Sequence, residues 1–387
     1  MNDFYFANPA HLYFGRSAVE ELPALIGEHK VMLVYGGKSA KVNGAYDAIT
    51  RVLRENHILW VDFGGNTEPS YQKALEAIEL CKDEKIGCVI GIGGCTCMDM
   101  AKIIAFGAKN ENLWGYLSFE IPVTGKEDHL QIGAVPTYPS GGSEADEAAE
   151  IDDLERGVHG SLYGIHADFS ILNPEFTYSL SQEQTAYAAM VTFAQASICY
   201  LGGYSPIAEG FTRTVLEAIR DSVQTALSDP ENYEARATQM WASALTTLGI
   251  LSCGKDKSWA WSFYSDLEII RQCMPISYRQ AMTVLFPRWL EAQAVHHSDD
   301  VRRYMVSVME VDGGLPAENA VQEGVRRLID LFKSVGLTMT YDAFGETPTR
   351  EKLETAAAAE QDSALSKEEL VEMYLACMSE QTTEEPQ

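Results

Sequence analysis

Along the first half of the chain, short uninterrupted apolar runs alternate with stretches whose apolar residues recur every three or four positions. Val31-Met32-Leu33-Val34-Tyr35 is such a run; Gly36-Gly37 closes it, and helical spacing follows through Ala45, Ile49 and Leu53. Ile58-Leu59-Trp60-Val61 is a second run, followed by a helix over 71–81 with Ala74, Ile78 and Leu80 inside. Cys88-Val89-Ile90-Gly91-Ile92 is a third, ending in Gly93-Gly94 and leading into Met98, Ala101 and Ile104. Further strands are predicted at 132–135 and 169–172. Continuous apolar runs joined by helical crossovers predict a parallel sheet covered on both faces.

From Pro174 the punctuation changes. Segments 184–200, 208–227, 232–251, 259–273, 281–292, 320–335 and 367–378 carry a helical period and few strand signals. The expected architecture is α/β plus all-α: a parallel-sheet domain over 1–178 and a helical domain over 179–387. The polar tail from Ser379 is expected to fray. There is no internal repeat.

Composition narrows the partners more than the fold. The 387 residues suffice for two domains that each bury a core. With 56 acidic against 29 basic residues, the net charge of −27 repels phosphate backbones and anionic headgroups, so nucleic acid and membrane are not expected partners. No run approaches the roughly 18 apolar residues of a membrane span. The opening MNDFYFANPAHLYFG lacks the basic start and apolar core of a secretory leader. The eight cysteines are scattered, several in apolar runs as buried thiols are, and Cys95-Thr96-Cys97 is CxC with no second pair. No structural zinc is expected, and cytoplasmic residence of a homo-oligomer, a dimer in the simplest case, is.

Chemistry concentrates in three glycine turns. Gly91-Ile92-Gly93-Gly94-Cys95-Thr96 runs into a helix holding Asp99 and Lys102. Gly36-Gly37-Lys38-Ser39 repeats the arrangement one unit earlier, and Pro139-Ser140-Gly141-Gly142-Ser143-Glu144 is a third turn, rich in hydroxyls, shortly after Thr137. A strand, a glycine turn and a helix N-terminus present unpaired backbone N–H groups to a phosphate. One such turn merely closes a strand. Three at strand ends in one parallel α/β half point to a dinucleotide in a crevice. Asp99 reads as a cofactor or helix-dipole partner. Lys38, Ser39 and Lys41 stand where an acidic residue would hold a ribose hydroxyl, which favours NADP over NAD.

These segments resemble the iron-containing (group III) alcohol dehydrogenases, in particular their butanol-dehydrogenase-like branch. Tyr35-Gly36-Gly37-Lys38-Ser39 with Lys41, Asn43 and Gly44 is similar to that branch's first-strand turn. Gly93-Gly94-Cys95-Thr96-Cys97-Met98-Asp99 with Ala101-Lys102 resembles its GGGSxxD-x-AK segment, with Cys95 for Gly and Thr96 for Ser. The turn at Pro139–Glu144, the segment Leu180, Gln184, Thr185 and Ala186, and Glu231 to Ala237 with Met240-Trp241-Ala242 match further motifs. The resemblance covers nearly the whole chain. It implies a Rossmann-like N-terminal domain, a helical C-terminal domain, and NAD(P) with a divalent metal in the cleft between them.

The metal ligands of that pattern are absent. The resemblance puts an Asp and a His, four residues apart on one helix, at Val191 and Gln195, and two later His at Tyr264 and Tyr278. A further His falls on Glu268. No histidine lies between 167 and 295. Valine, an amide and two neutral phenols do not suit Fe²⁺ or Zn²⁺, so neither metal is expected. A family Lys near the cofactor is also missing, where this chain reads Glu155-Arg156-Gly157-Val158-His159.

Two readings of Tyr264, Glu268 and Tyr278 stay open: a metal-free acid–base cluster with a desolvated Glu, or side chains that refill the vacated space. Arg271 and Arg279 either attract an anion or are solvated, and His296-His297 reads as surface. Two functions stay open as well. One is an NAD(P)-dependent oxidoreductase of small alcohols or aldehydes; the other is a catalytically silent, nucleotide-binding sensor or scaffold.

Overall fold

The apolar runs do become strands of one parallel sheet. In a computed structural model, which describes residues 1–256, 258–359 and 362–379, eight strands occur: β1 His11–Phe14, β2 Val31–Tyr35, β3 Trp60–Phe63, β4 Cys88–Gly93, β5 Gln131–Pro136, β6 Ala148–Asp153, β7 Val158–Tyr163 and β8 Phe169–Leu172. Six of them pair in parallel in the order β1-β8-β5-β4-β2-β3. β2, β4 and β8 are buried at every position, as strands covered by helices on both faces must be. β2, β4 and β5, whose carboxyl ends carry the three glycine turns, are consecutive neighbours in this order.

Two local differences have simple causes. The strand expected at 58–61 is displaced to Trp60–Phe63, because His57 takes a left-handed turn (φ 59) and Ile58 plugs the core before pairing begins. The acidic stretch after Glu144 folds into the antiparallel ribbon β6–β7 rather than a loop. Ala149, Ile151 and Asp153 face inward and Ala148, Glu150 and Asp152 less so, a two-residue alternation hidden by the charges.

The chain divides into two units. One comprises Ala7–Leu180 and Ser228–Gly249; the other comprises Met1–Phe6, Ser181–Leu227 and the chain from Ile250. The helix Tyr233–Thr247, grouped with the helical half by sequence, therefore belongs with the sheet. Its contacts show why: Arg16 lies over the Tyr233 ring at 3.7 Å, Phe14 meets Trp241 edge-on at 6.0 Å, and Met240 and Ala244 pack with Ala145 and Leu172.

In the second unit every element among the described residues is helical. The starts are written in serine: Ser181, Ser277 and Ser366 each form a reciprocal capping box with Gln184, Gln280 and Glu369. Helices Ser298–Ser307 and Arg350–Ala359 add to those the periodicity indicated. The tail expected to fray lies outside the described residues from 380 onward. Among the described residues, no helix is long and apolar enough to cross a membrane.

Candidate functional site

The three glycine turns converge. The Cys97 thiol reaches toward the Asn66 carbonyl at 3.8 Å, and a Cβ on Gly36 would lie 3.4 Å from that carbonyl and 3.8 Å from the same sulfur. Asn66, in the loop after β3, donates its N–H to the Tyr35 carbonyl at 3.1 Å, so that loop ties the turn after β2 to the helix that follows β4. The Cys95 thiol donates to the Ser140 carbonyl at 3.1 Å, and a Cβ on Gly141 would stand 2.7 Å from that sulfur. This joins the turn after β4 to the turn after β5. Thr137, buried, donates its N–H to the Gly93 carbonyl at 2.8 Å.

Glycine is required here for stated reasons. Gly93 has φ 156, and a Cβ would press 2.8 Å from the Cys97 sulfur. Gly142 has φ 68 and lies against the helix Tyr233–Thr247, where a Cβ would come 2.3 Å from the Thr247 hydroxyl; that hydroxyl donates to the Gly142 carbonyl at 2.8 Å. Gly94 differs. It is the N-cap of the helix Cys95–Gly107, extended at φ −87, and no side chain caps that helix. The Cys97 and Met98 amides donate to the Gly94 carbonyl at 3.1 and 3.4 Å, which leaves those of Cys95 and Thr96 to face a ligand, and a Cβ on Gly94 would meet Tyr138 only at an ordinary 3.7 Å. Gly37, Lys38 and Ser39 are exposed at the neighbouring turn.

Beneath the turns lies a buried ionic cluster. The Lys102 ammonium, fully buried, donates to the Asp146 carboxylate at 2.5 Å and to the Ala148 carbonyl at 2.8 Å. Asp99 accepts from the Ser143 hydroxyl at 2.5 Å and from the Glu150 N–H at 3.4 Å. Its carboxylate is therefore engaged inside the protein, bracing the turn after β5 and the ribbon against the helix that starts at Cys95. Burial pushes its pKa up, opposed by Lys102. Glu144 is also buried, with one carboxyl oxygen unpaired, and desolvation raises it to about 7. Lys102 and Asp146 went unassigned by sequence because their pairing spans a crossover.

The second unit places its candidates less uniformly. Val191 and Gln195 lie one turn apart on the buried helix Gln182–Tyr200, and the Gln195 side-chain oxygen is buried without a partner. Tyr264 lies near Tyr278 and Cys199, and burial, followed by those neighbours, holds its hydroxyl well above the usual phenol range. Glu268 does not join them. It is exposed and paired with Arg271 at 2.6 Å, so the desolvated carboxyl considered from sequence does not exist at this position. Residues 264 and 268 share a stripe, but the Glu268 carboxylate turns to Arg271, one turn on, and stays in solvent. Arg156 and His159, at the position of the missing family lysine, lie on the ribbon. Arg156 stacks 4.0 Å over Trp114, and His159 sits between Asp152 at 2.7 Å and Glu150 at 2.6 Å. His296 pairs with Glu369 at 2.7 Å while His297 stacks on Trp259 at 4.1 Å, so the two rings have separate partners.

Comparison with known proteins agrees with this arrangement. The sequence model described as iron-containing alcohol dehydrogenase matches residues 9–174, the part that carries all three turns. The NADH-dependent butanol dehydrogenase A of Clostridium acetobutylicum is 27% identical over 350 residues, covering 87% of this chain and 88% of the relative. Residues 9–174 thus match the iron-containing alcohol dehydrogenase family, and the chain is similar to a member of it over most of its length. The NADPH-dependent aldehyde reductase YqhD of Escherichia coli is 29% identical over 271 residues, covering 67% of this chain and 68% of the relative. The crystal structure of NADH-dependent butanol dehydrogenase A from Thermotoga maritima superposes with a TM-score of 0.88 at 24% identity, covering 98% of this chain and 99% of the other. That likeness establishes the shared fold.

The two groups that the resemblance implies fit this chain differently. A dinucleotide fits: uncapped amides, glycines without a Cβ and three touching turns make a cradle for a pyrophosphate. At the positions where the resemblance puts the metal ligands, the side chains present do not suit a divalent metal. Val191 has no donor atom, Gln195 offers a neutral amide, and Tyr264 is held in its protonated form. Among the described residues, no group of three or more His, Cys, Asp and Glu is placed to hold a metal ion.

Proposed function

We propose that this protein is an NAD(P)-dependent oxidoreductase of small alcohols and aldehydes that works without a divalent metal. The observation that carries the reading is the convergence of the three glycine turns through Cys95 and, with Asn66 beside Gly36, through Cys97. Backbone N–H groups of Cys95 and Thr96 would hold the pyrophosphate, with Gly36–Ser39 and Ser140–Gly142 flanking it. Relatives named as NADH- and NADPH-dependent butanol dehydrogenases and aldehyde reductases support the chemistry. Exposed Lys38 and Lys41 favour the 2′-phosphate of NADP.

When bound, the reduced nicotinamide supplies a hydride. This chain's part is to hold the carbonyl and move a proton. A metal would polarise the carbonyl and stabilise the alkoxide. Here the Tyr264 hydroxyl, kept protonated by desolvation, donates to the carbonyl oxygen instead, with Tyr278 beside it. Replacing a cation by a neutral donor gives up several kcal/mol of charge stabilisation, so turnover is expected to be orders of magnitude below that of a metal-loaded enzyme.

The test is a titration of purified protein with NADPH and NADH, metal analysis, and a screen of aldehydes and alcohols. Absence of binding by either cofactor at millimolar concentration would refute the reading. Cofactor binding without turnover of any substrate would support the second reading, a silent nucleotide-binding relative, which the replaced ligand set at 191, 195, 264 and 278 favours.

A further inference from the structure

Among the described residues Arg279 has no counter-charge, in a chain that carries 56 acidic residues. Its neighbour in the sequence reading, Arg271, is neutralised by Glu268 at 2.6 Å. Among the described residues Arg279 forms no ion pair, and its Nε is buried without an acceptor. Its guanidinium lies 5.2 Å from the centre of the Tyr187 ring. A desolvated guanidinium N–H left unmatched costs free energy that an anion would recover.

The surroundings define what the anion is attached to. Tyr187, Val191, Gln195 and Cys199 recur every four residues, so they form one stripe on the helix Gln182–Tyr200. The helix Tyr278–Gln293, which begins next to Arg279, packs against this helix. Arg279 meets the stripe at Tyr187, while Tyr264 lies close enough to Cys199 and to Tyr278 to feel their charge. Between these two ends Gln195, 7% exposed, carries a side-chain oxygen with no partner. A buried amide acceptor without a donor, like the guanidinium without an acceptor, is a half-made interaction.

From these two half-made interactions we infer that the second unit binds a linear carboxylate whose far end is a carbonyl or hydroxyl. The guanidinium of Arg279 takes the carboxylate in a charge-assisted pair. Gln195 accepts from the hydroxyl of the alcohol form, and Tyr264 donates to the oxygen of the carbonyl form. Tyr187 and Gln195 lie eight residues apart on one helix, about 12 Å along its axis. The ligand is therefore a chain with its two polar groups at opposite ends, an ω-oxo or ω-hydroxy carboxylate, and not a 2-oxo acid. Val191, between them, faces the aliphatic stretch. This deepens the proposed function and rests on it only for hydride transfer.

The experiment measures binding first, by calorimetry on the full-length protein, with 4-oxobutanoate and 5-oxopentanoate against pentanal and hexanal. A charge-assisted pair predicts at least tenfold tighter binding of the oxo acids, at about 1.4 kcal/mol per tenfold. Arg279→Met should abolish that preference, Arg279→Lys should retain part of it, and Arg271→Met should leave it intact. Should Arg279→Met fail to fold, judged by its melting curve, Arg279→Lys and Arg279→Gln carry the comparison. Equal affinity for oxo acids and aldehydes, or a preference that survives loss of Arg279, overturns the inference. Turnover with NADPH then separates the two claims. Arg279-dependent binding without reduction sustains the carboxylate site and removes the reductase reading; reduction of aldehydes and oxo acids at equal kcat/KM does the reverse.

Discussion

Gly94→Val separates ligand approach from folding. Gly94 is extended, and its nearest neighbours for a new Cβ are the Tyr138 Cβ at 3.7 Å and Cδ1 at 4.0 Å, ordinary contacts. The fold therefore accepts a side chain, at about 0.5–1 kcal/mol for a poorer N-cap. A cost of this size lowers the melting temperature by up to about 4 °C in a domain this large. The ligand does not accept it. A branched side chain at the helix entrance pushes a pyrophosphate away from the amides of Cys95 and Thr96, and each hydrogen bond to a charged group contributes about 1.5–3 kcal/mol. Losing even one weakens binding more than tenfold. Gly93→Ala is the contrast, because its Cβ would stand 2.8 Å from the Cys97 sulfur at φ 156 and should damage the fold itself. The assay is calorimetric titration with NADPH and NADH beside thermal melting of each variant. Binding by Gly94→Val within threefold of the unmodified protein would show that the phosphates do not approach this turn.

Lys102→Met should destabilise by about 3 kcal/mol or more, since it leaves the Asp146 carboxylate without its buried partner; denaturant titration reads this, and a loss under 1 kcal/mol would mean that the pair is solvated. Glu144, raised to about 7 by burial, keeps a proton in the folded state that the unfolded chain releases from about pH 4 upward. Its contribution is full below that range and is lost as pH rises through 7, so Glu144→Gln should flatten the fall in melting temperature between pH 5 and 8; parallel curves contradict the assignment. Tyr264→Phe should lower kcat at least tenfold with little change in NADPH affinity, and unaltered kcat would remove the tyrosine from proton transfer. The purified protein should contain no stoichiometric iron or zinc, and the combined substitutions Val191→Asp, Gln195→His, Tyr264→His and Tyr278→His should create metal affinity where none exists. One metal per chain in the unmodified protein overturns that expectation.

The sequence alone determined the parallel sheet and the helices beyond it, because both are written in local periodicity: uninterrupted apolar runs for β2 and β4, serine capping boxes and a 3.6-residue period after residue 180. It also determined the three turns, since glycine at a strand end has few other uses, and the loss of histidine between 167 and 295 is plain by inspection. Tertiary structure decided what those residues do. Only the sheet order brings the ends of β5, β4 and β2 side by side, so that Cys95 and Cys97 can join three separate turns. Only packing returns the helix Tyr233–Thr247 to the sheet, where it closes on Gly142, a contact between residues about a hundred positions apart that no window of sequence contains. The same holds for charge. Asp99, Glu268, Arg271 and Arg279 are all ordinary ionisable residues in the sequence; which is braced, which is paired and which is left unmatched depends on neighbours supplied by other segments of the chain, because electrostatic interactions follow distance and desolvation rather than sequence separation.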